Sequence, residues 1–571
     1  MKRFAQLFDD LDTTTRTTEK VAALERYFRD TLADESTRPD AAWTLALLTG
    51  RRIRHALKSS QLRDLAAELS NTPPWLVNEC YDAVGDLGET VSLLLEIWSP
   101  PAQLAERTEN LALHEVMRRL RDMVKMDDAT RARTLTQLWA PLSTRERLVL
   151  NKLLSTSFRF GASAKLALKG LAAATGIDEQ TLAHRTSGAW EPTPDSLERI
   201  IAPSDSPDAH DPSRPFPFFL ASQLDIPSEP ALADKSLSAA LGDRSDWLAE
   251  WKWDGVRAQI LAHNDSVSIW SRGDELVTDA YPELTDAARD VLREAGNASG
   301  GIALDGEIVA WDDANDRPLP FTLLQRRLNR KRVEHTLFHD VPVVFIAYDL
   351  LALNGSDLRE HPIEHRRAAL EDLMRTAPRA LRLSPIIDAP SWDELAAVRA
   401  ESRDRLVEGV MLKRLGSTYQ VGRKRGDWWK WKIDPHTIDA VLVYAQRGSG
   451  RRASLFTDYT FALWSGSESG KGELLPFAKA YSGLTDDEIA QVDAWVSRNT
   501  LDRRGPVRIV KPELVFELAF EGVQESDRHK SGLALRFPRM SRWRTDKPAR
   551  EADTLDNVRA ILNADLRRMN A

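Results

Sequence analysis

Trp247-Leu-Ala-Glu-Trp-Lys-Trp-Asp-Gly-Val-Arg257 decides how the middle of this chain is read. From Trp247 to Trp253 apolar and polar side chains interchange at the two-residue period of a half-buried strand, and Asp254-Gly255 is a strong turn signal. Arg257-Ala-Gln-Ile-Leu-Ala262 and Val267-Ser-Ile-Trp270 follow, so the segment is predicted to form an antiparallel hairpin. Lys252 falls between two tryptophans beside the turn. Partial burial and neighbouring cations in such a place can bring a lysine down from its ordinary pKa of about 10.4 and expose a neutral, nucleophilic amine. Glu250 stands two residues earlier and so shares the strand face of Lys252, where its carboxylate can accept a hydrogen bond from an amino group.

Outward from this segment, helical stretches around Tyr281 to Ala295 and His361 to Arg375 interrupt strands at Gly301 to Trp311, Val341 to Leu353 and Leu406 to Lys413. Residues 231–435 therefore read as an α+β, antiparallel domain. After Ile433-Asp-Pro-His436 come short strands, Ala440-Val-Leu-Val-Tyr-Ala445, Tyr459-Thr-Phe-Ala-Leu-Trp464 and Leu514-Val-Phe-Glu-Leu-Ala-Phe520, between glycine-rich loops. Residues 436–571 are predicted to form a small β-barrel. Upstream, apolar residues at helical spacing in Ala41-Ala-Trp-Thr-Leu-Ala-Leu-Leu48, Val91-Ser-Leu-Leu-Leu-Glu-Ile97 and Leu148-Val-Leu-Asn-Lys-Leu-Leu154 predict an all-α domain over 1–200. Residues 201–230 read as a linker, because Ala202-Pro-Ser-Asp-Ser-Pro-Asp-Ala-His-Asp-Pro-Ser-Arg-Pro-Phe-Pro217 suits neither a helix nor a central strand.

A chain of 571 residues exceeds what one hydrophobic core supports, so several domains are expected. No apolar run approaches the roughly 18 residues of a membrane helix, and the start lacks the apolar core of a secretory signal. A cytoplasmic protein without a membrane partner is the expectation. The single cysteine, Cys80, forms neither an internal disulfide nor a thiolate zinc cluster and is expected to be a small core residue. The net charge of -8 does not decide about nucleic acid, because phosphate contacts depend on local patches. One such patch, Arg51-Arg-Ile-Arg-His-Ala-Leu-Lys58, reads chiefly as a solvated helix face. No Gly-x-x-x-x-Gly-Lys-Ser/Thr loop occurs, since Gly466-Ser-Glu-Ser-Gly-Lys-Gly472 has the wrong spacing and ending, and the 11 histidines form no metal pattern.

Lys252-Trp-Asp-Gly255 with Arg257 resembles the Lys-x-Asp-Gly signature of the covalent nucleotidyltransferases, the superfamily of ATP-dependent DNA ligases, RNA ligases and mRNA capping enzymes. Further segments resemble that superfamily's motifs in order: Ser271-Arg-Gly273, Leu304-Asp-Gly-Glu-Ile-Val-Ala310, Phe345-Ile-Ala-Tyr-Asp-Leu350, Val407-Glu-Gly-Val-Met-Leu-Lys413, Trp429-Lys-Trp-Lys432, and Leu535-Arg-Phe-Pro-Arg539 with Arg544-Thr-Asp-Lys547. The resemblance runs from about Trp247 to the end and implies a nucleotidyltransferase domain followed by an OB-fold barrel. It implies that Lys252 attacks the α-phosphorus of ATP, expels pyrophosphate and carries AMP as a phosphoramidate. Glu250 then meets the adenine amino group, and Tyr348 stacks on the base. Arg257 and Arg272 contact ribose and phosphate, and Lys430 and Lys432, on one side of a strand, hold the α-phosphate. Glu307 and Glu408 are assigned to magnesium, Glu307 also serving a ribose hydroxyl. Arg423 and Lys424 are phosphate contacts, with the choice between them open. Arg544 and Lys547 align the pyrophosphate in the first step.

A helical domain ahead of the core resembles the larger DNA ligases, which implies nicked double-stranded DNA as the substrate. Within it, Ser155-Thr-Ser-Phe-Arg-Phe-Gly161 offers Arg159, Phe160 and Gly161 to phosphates at a turn before a helix. Phe321 and Phe537, each beside a proline, with Arg536, resemble the residues that ligases press into the minor groove at the nick. The four-cysteine zinc module of NAD-dependent ligases is excluded by the lone cysteine. RNA ligases and capping enzymes remain the enzyme alternatives, and a non-catalytic DNA-binding protein is opposed by Lys252, Glu307, Glu408 and Lys430 together. The resemblance further implies a monomer of bacterial, nucleoid-associated type acting in replication, repair or recombination, in some relatives linked to a helicase and a nuclease.

Overall fold

The computed structural model describes residues 1–50, 57–84, 86–105, 111–154, 161–188, 190–203, 213–226, 230–294, 301–327, 340–448, 455–527 and 529–570. By contact density the chain forms two compact units, one of residues 1–174, 192–194 and 435–567, the other of 175–191, 195–434 and 568–571.

Among the described residues no strand precedes Phe219, and the N-terminal region is helical as expected. Some of its helices begin on side chains that accept otherwise unpaired backbone N–H groups. Asp86 caps Leu87–Leu94 by accepting from Glu89 N, Asp127 caps Asp128–Trp139 from Thr130 N, and Asp178 caps Glu179–Thr186 from Thr181 N. Leu113–Met123 shows the helical stripe plainly, burying Leu113, Val116, Met117, Leu120 and Met123 on one face. Cys80, in the helix Pro74–Val84, is only half-buried, so it is not the core residue expected. No helix among the described residues is long and apolar enough to cross a membrane.

Among its described residues the second unit holds two larger sheets and a two-stranded one. One has seven strands along the path Leu381–Leu383, Val343–Leu353, Ile302–Asp312, Val256–His263, Ser266–Ser271, with short strands attached at its margin. The other has four, Ser222–Gln223, Trp428–Lys432, Val407–Arg414 and Trp247–Trp253. The predicted hairpin across Asp254-Gly255 does not form. Trp247–Trp253 pairs with Val407–Arg414, whereas Val256–His263 pairs with Ser266–Ser271 and Ile302–Asp312. The turn carries the chain from one sheet into the other. The reason lies in the tryptophans: Trp247, Ala249, Trp251 and Trp253 fill a core with Trp429 and Trp431 and with Val309, Trp311, Val344 and Ile346 of the seven-stranded sheet. Leu248, Glu250 and Lys252 alternate to the opposite face.

The stretch read as a linker is partly structured. Phe219–Leu220 pairs with Gly422–Arg423 and Ser222–Gln223 with Trp428–Lys432. Ahead of them the Phe216 backbone exchanges two hydrogen bonds with the Gln259 side chain, at 2.8 and 3.0 Å. Phe219 is fully buried, which explains why so proline-rich a segment is bound to the sheet rather than solvated.

In the C-terminal region the strands run in the order Leu474–Ala480, Phe456–Trp464, His436–Arg447, Val507–Val510, Thr500–Arg504, and Val515–Phe520 pairs with both His436–Arg447 and Arg539–Trp543. Met540 N donates to Ser482 O at 2.9 Å, joining Arg539–Trp543 to the chain leaving Leu474–Ala480. Phe461, Phe516, Leu518 and Phe520 lie at the centre of this core, which the helix Asp486–Arg498 covers through Val492 and Val496.

Candidate active site

Lys252 is the penultimate residue of Trp247–Trp253, the lysine strand, and forms an ion pair of 2.5 Å with Glu408, which is also 3.2 Å from Lys432. How Glu408 reaches this face is a matter of register. Trp253 opposes Val407 and Trp251 opposes Val410, so Glu408 and Gly409 together face the single residue Lys252. This is a β-bulge, which re-aims side chains. In an unbroken strand Glu408 would share the core-facing side of Val410; the extra residue turns it toward Lys252. Only glycine suits the following position, where φ is +140° and a Cβ would lie 2.3 Å from the Trp431 carbonyl oxygen. Gly255 is required for space: a Cβ there would lie 2.2 Å from Ile308 O and 2.8 Å from Glu307 Cγ. The Asp254-Gly255 turn thus lies directly on the strand that carries Glu307.

On the neighbouring strand Lys430 opposes Met411 and Lys432 opposes Gly409, while Trp429 and Trp431 point into the core. Burial, then the charges of Lys252, Lys432 and Arg423, pull the Lys430 ammonium below the usual lysine range. Burial raises the Glu408 carboxyl, but Lys252 and Lys432 outweigh it and hold the group at about 2. Glu307 behaves in the opposite way. Burial pushes it up to about 8 against the pull of Lys252 and Arg257, helped by the negative charges of Glu408 and Asp254. Two carboxylates and a set of cations thus surround one part-exposed lysine, an arrangement suited to binding a polyanion and to attack on it.

Glu250 is buried, 3.0 Å from Arg367 Nη1 through one oxygen and 2.6 Å from Lys413 Nζ through the other. Lys413 also donates to Tyr348 O at 3.1 Å, with its ammonium 4.5 Å from the Tyr348 ring centroid. Burial raises the Tyr348 hydroxyl well above its ordinary range. Sequence reading passed over Lys413 and Arg367. Lys413 closes a quoted motif and stood in view, whereas Arg367 lies in a helix with nothing local to mark it.

Arg257 is held more tightly than a free ribose or phosphate contact. It pairs with buried Asp305 at 2.6 Å and donates to Phe219 O at 2.6 Å, while Tyr419 OH donates to Asp305 at 2.6 Å. Asp305 and Tyr419 had likewise not been singled out. Arg272 is exposed, its backbone N–H donating to Arg257 O at 3.0 Å. Arg423 and Lys424 are both exposed, but it is the charge of Arg423 that acts on Lys430.

In the C-terminal region Arg544 and Lys547 converge on one acceptor, Asp439 Oδ2, at 2.7 and 2.8 Å. Phe537 is 65% exposed in a left-handed conformation, φ +51°, with the Arg536 guanidinium 5.5 Å from its ring centroid. Phe321 begins a short helix and packs, half-buried, against the seven-stranded sheet's core. Gly161 is in a bend before the helix Ala164–Thr175, φ +65°. Arg159, Phe160 and Arg51 to Ala56 of the basic cluster lie outside the described residues.

Three family models match along the chain: DNA ligase N terminus over residues 1–172, ATP dependent DNA ligase domain over 230–432, and ATP dependent DNA ligase C terminal region over 452–547. The chain is 32% identical to a probable DNA ligase of Koribacter versatilis, over 98% of this chain and 96% of that protein. It is 30% identical to a DNA ligase of Methanoculleus marisnigri, over 87% of this chain and 86% of the relative. Among solved structures, Pmar-Lig_PreS3 shares the fold with a TM-score of 0.59 at 14% identity, covering 95% of this chain and 99% of its own. With the relatives matching it nearly from end to end, the chain belongs to the ATP-dependent DNA ligases, enzymes that seal nicks in DNA at the expense of ATP.

Proposed function

We propose that Lys252 is the residue adenylated in the first step of ligation. Its amine, freed of a proton, attacks the α-phosphorus of ATP; the N–P bond forms as the bond to pyrophosphate breaks, leaving Lys252-AMP. The AMP then passes to the 5′-phosphate at the nick, and the 3′-hydroxyl displaces it to close the phosphodiester. The observation that carries this reading is the bulge-directed ion pair of Lys252 with Glu408, beside Lys430 and Lys432. Lys430, Lys432 and Arg423 neutralise phosphate oxygens, with Arg272 and Lys424 at the margin. Glu250 accepts from the adenine 6-amino group, Tyr348 supports the base, and Arg257, paired with Asp305, stands beside the Tyr348 ring. Arg544 and Lys547 serve the pyrophosphate leaving group.

Magnesium fits the carboxylates Glu307 and Glu408. Among the described residues no cluster of three or more His, Cys, Asp and Glu side chains occurs, and a pair of carboxylates is the donor set magnesium takes when substrate phosphates complete its shell. When bound, the ion would neutralise charge on the phosphates. Glu307 and Glu408 would hold it, and their mutual repulsion would be relieved.

The reading extends to a helical DNA-binding region, with Arg159, Phe160 and Gly161 at the phosphates, and to a C-terminal barrel of OB type. The Met540-to-Ser482 hydrogen bond supports the barrel, since it brings Arg539–Trp543, the outer strand of the branch through Val515–Phe520, to the chain leaving the edge strand Leu474–Ala480. Phe537, with Arg536, is the residue best suited to wedge into a minor groove, being exposed and held in a strained conformation; Phe321 is the second such aromatic. A monomer is proposed, with helicase and nuclease partners.

Incubation with labelled ATP and magnesium, then with nicked DNA, tests the reading. Wild type acquires label and passes it to DNA, and Lys252→Ala acquires none. Equal labelling of the variant would overturn the assignment.

A further inference from the structure

We propose that Arg367 sets the enzyme's choice of base by fixing Glu250, an inference that rests on Glu250 receiving the adenine amino group. Arg367 projects from the helix Ile363–Met374, and each of its three side-chain nitrogens donates a hydrogen bond. Nε donates to Glu371 at 2.7 Å, Nη2 to Ser384 O at 2.8 Å and Nη1 to Glu250 Oε1 at 3.0 Å. Its anchor points are themselves fixed. Ser384 N donates to Ala347 O at 2.8 Å, Ser384 Oγ accepts from Trp253 Nε1 at 3.2 Å, and Ile387 N donates to Ala249 O at 2.8 Å. The guanidinium is therefore a rigid bracket between the helix, the segment after Leu383 and the lysine strand.

Glu250 is 2% exposed, and a carboxylate so buried depends on its partners for position. Lys413 holds one oxygen and Arg367 the other. Each oxygen still has a lone pair to offer, and an ionised carboxylate only accepts. It receives an amino group at purine C6, gains nothing from a hydrogen there, and repels a carbonyl oxygen. Selectivity of this kind requires the acceptor to stay where it is. Lys413 alone, a point charge on a flexible stem at one oxygen, cannot hold the plane of the carboxylate; the anchored guanidinium at the other oxygen supplies the second fixed point.

The test compares covalent nucleotidylation of the enzyme by ATP, by purine riboside 5′-triphosphate, which lacks the 6-amino group, and by inosine 5′-triphosphate, which carries oxygen there. For Arg367→Met, kcat/KM with ATP is expected to fall about tenfold or more, while that with purine riboside triphosphate changes less than about threefold. The preference for ATP over both analogues shrinks, and Arg367→Lys restores part of it. A fall by one factor for all three nucleotides, or no fall with ATP, overturns the proposal, because a scaffold residue would not distinguish them. Glu250→Leu, which has no acceptor, separates the two levels. If it loses the preference and Arg367→Met keeps it, only the role of Arg367 fails; if wild type has no preference, or Glu250→Leu retains it, the reading of Glu250 fails and the inference with it.

Discussion

Glu408 stands 2.5 Å from Lys252 because one extra residue in its strand turns it off the core-facing side. The ion pair is thus made by backbone register, and the neighbouring glycine keeps that register. Glu408→Gln preserves shape and removes the charge shared by Lys252 and Lys432. Lys252 adenylation is expected to drop by about 10²–10³. Quench-flow labelling with ATP measures this, and a wild-type rate would remove Glu408 from the reaction.

Gly409→Ala tests the bulge itself. The added Cβ meets the Trp431 carbonyl at 2.3 Å in a conformation that side chains avoid. A cost of about 1–3 kcal/mol is expected, with loss of adenylation, as Glu408 is displaced. Urea denaturation followed by tryptophan fluorescence reads the first and labelling the second. An unchanged midpoint would mean that the bulge relaxes freely.

Glu307, at about 8 in the fold, titrates far above an ordinary glutamate. Between about pH 4.5 and 8 the native state keeps a proton that the unfolded chain has released, so this group makes stability fall as pH rises through that window. Glu408, held at about 2, acts in the other direction: its contribution is present above the ordinary glutamate range and is lost as pH falls toward 2. Ligand-free Glu307→Gln should therefore lose less stability than wild type between pH 5 and 8. Parallel pH profiles of the denaturation midpoint would refute this.

Asp439 receives both Arg544 and Lys547 on a single oxygen. Asp439→Asn keeps an acceptor but removes the negative charge that both cations share, so adenylation is expected to slow about tenfold or more. Sealing of a nick that already carries AMP should proceed at the wild-type rate, since pyrophosphate is no longer involved. Equal loss in both assays would make Asp439 a general stabiliser of the C-terminal region.

The charge of Arg423 lowers the Lys430 ammonium, so Arg423 is the one proposed to meet the nucleotide. Arg423→Ala should raise the KM for ATP about tenfold, with Lys424→Ala near wild type. Equal effects, measured at low salt and again at high salt, would mean that both act as diffuse charge.

Much of the proposed site's arrangement was legible in local residue order. Alternation alone puts Glu250 with Lys252, and Lys430 with Lys432, on the faces opposite their tryptophans, because strand period is a property of the backbone. Helical periodicity likewise marked the N-terminal region. Pairing partners were another matter. The turn at Asp254-Gly255 has the residues of a hairpin, yet its two arms enter different sheets, because the tryptophans are buried against strands that come much later in the chain. The bulge at Gly409 and the Arg367 bracket on Glu250 are equally tertiary. They arise where distant segments meet, and no local pattern encodes which register or which buried charge will satisfy which. The amino-acid sequence by itself determined which lysine is proposed as the nucleophile and which charged residues accompany it. Only the tertiary structure decided how each carboxylate is aimed, since burial and cross-strand register, not neighbouring residues, set the partner and the ionisation of a buried group.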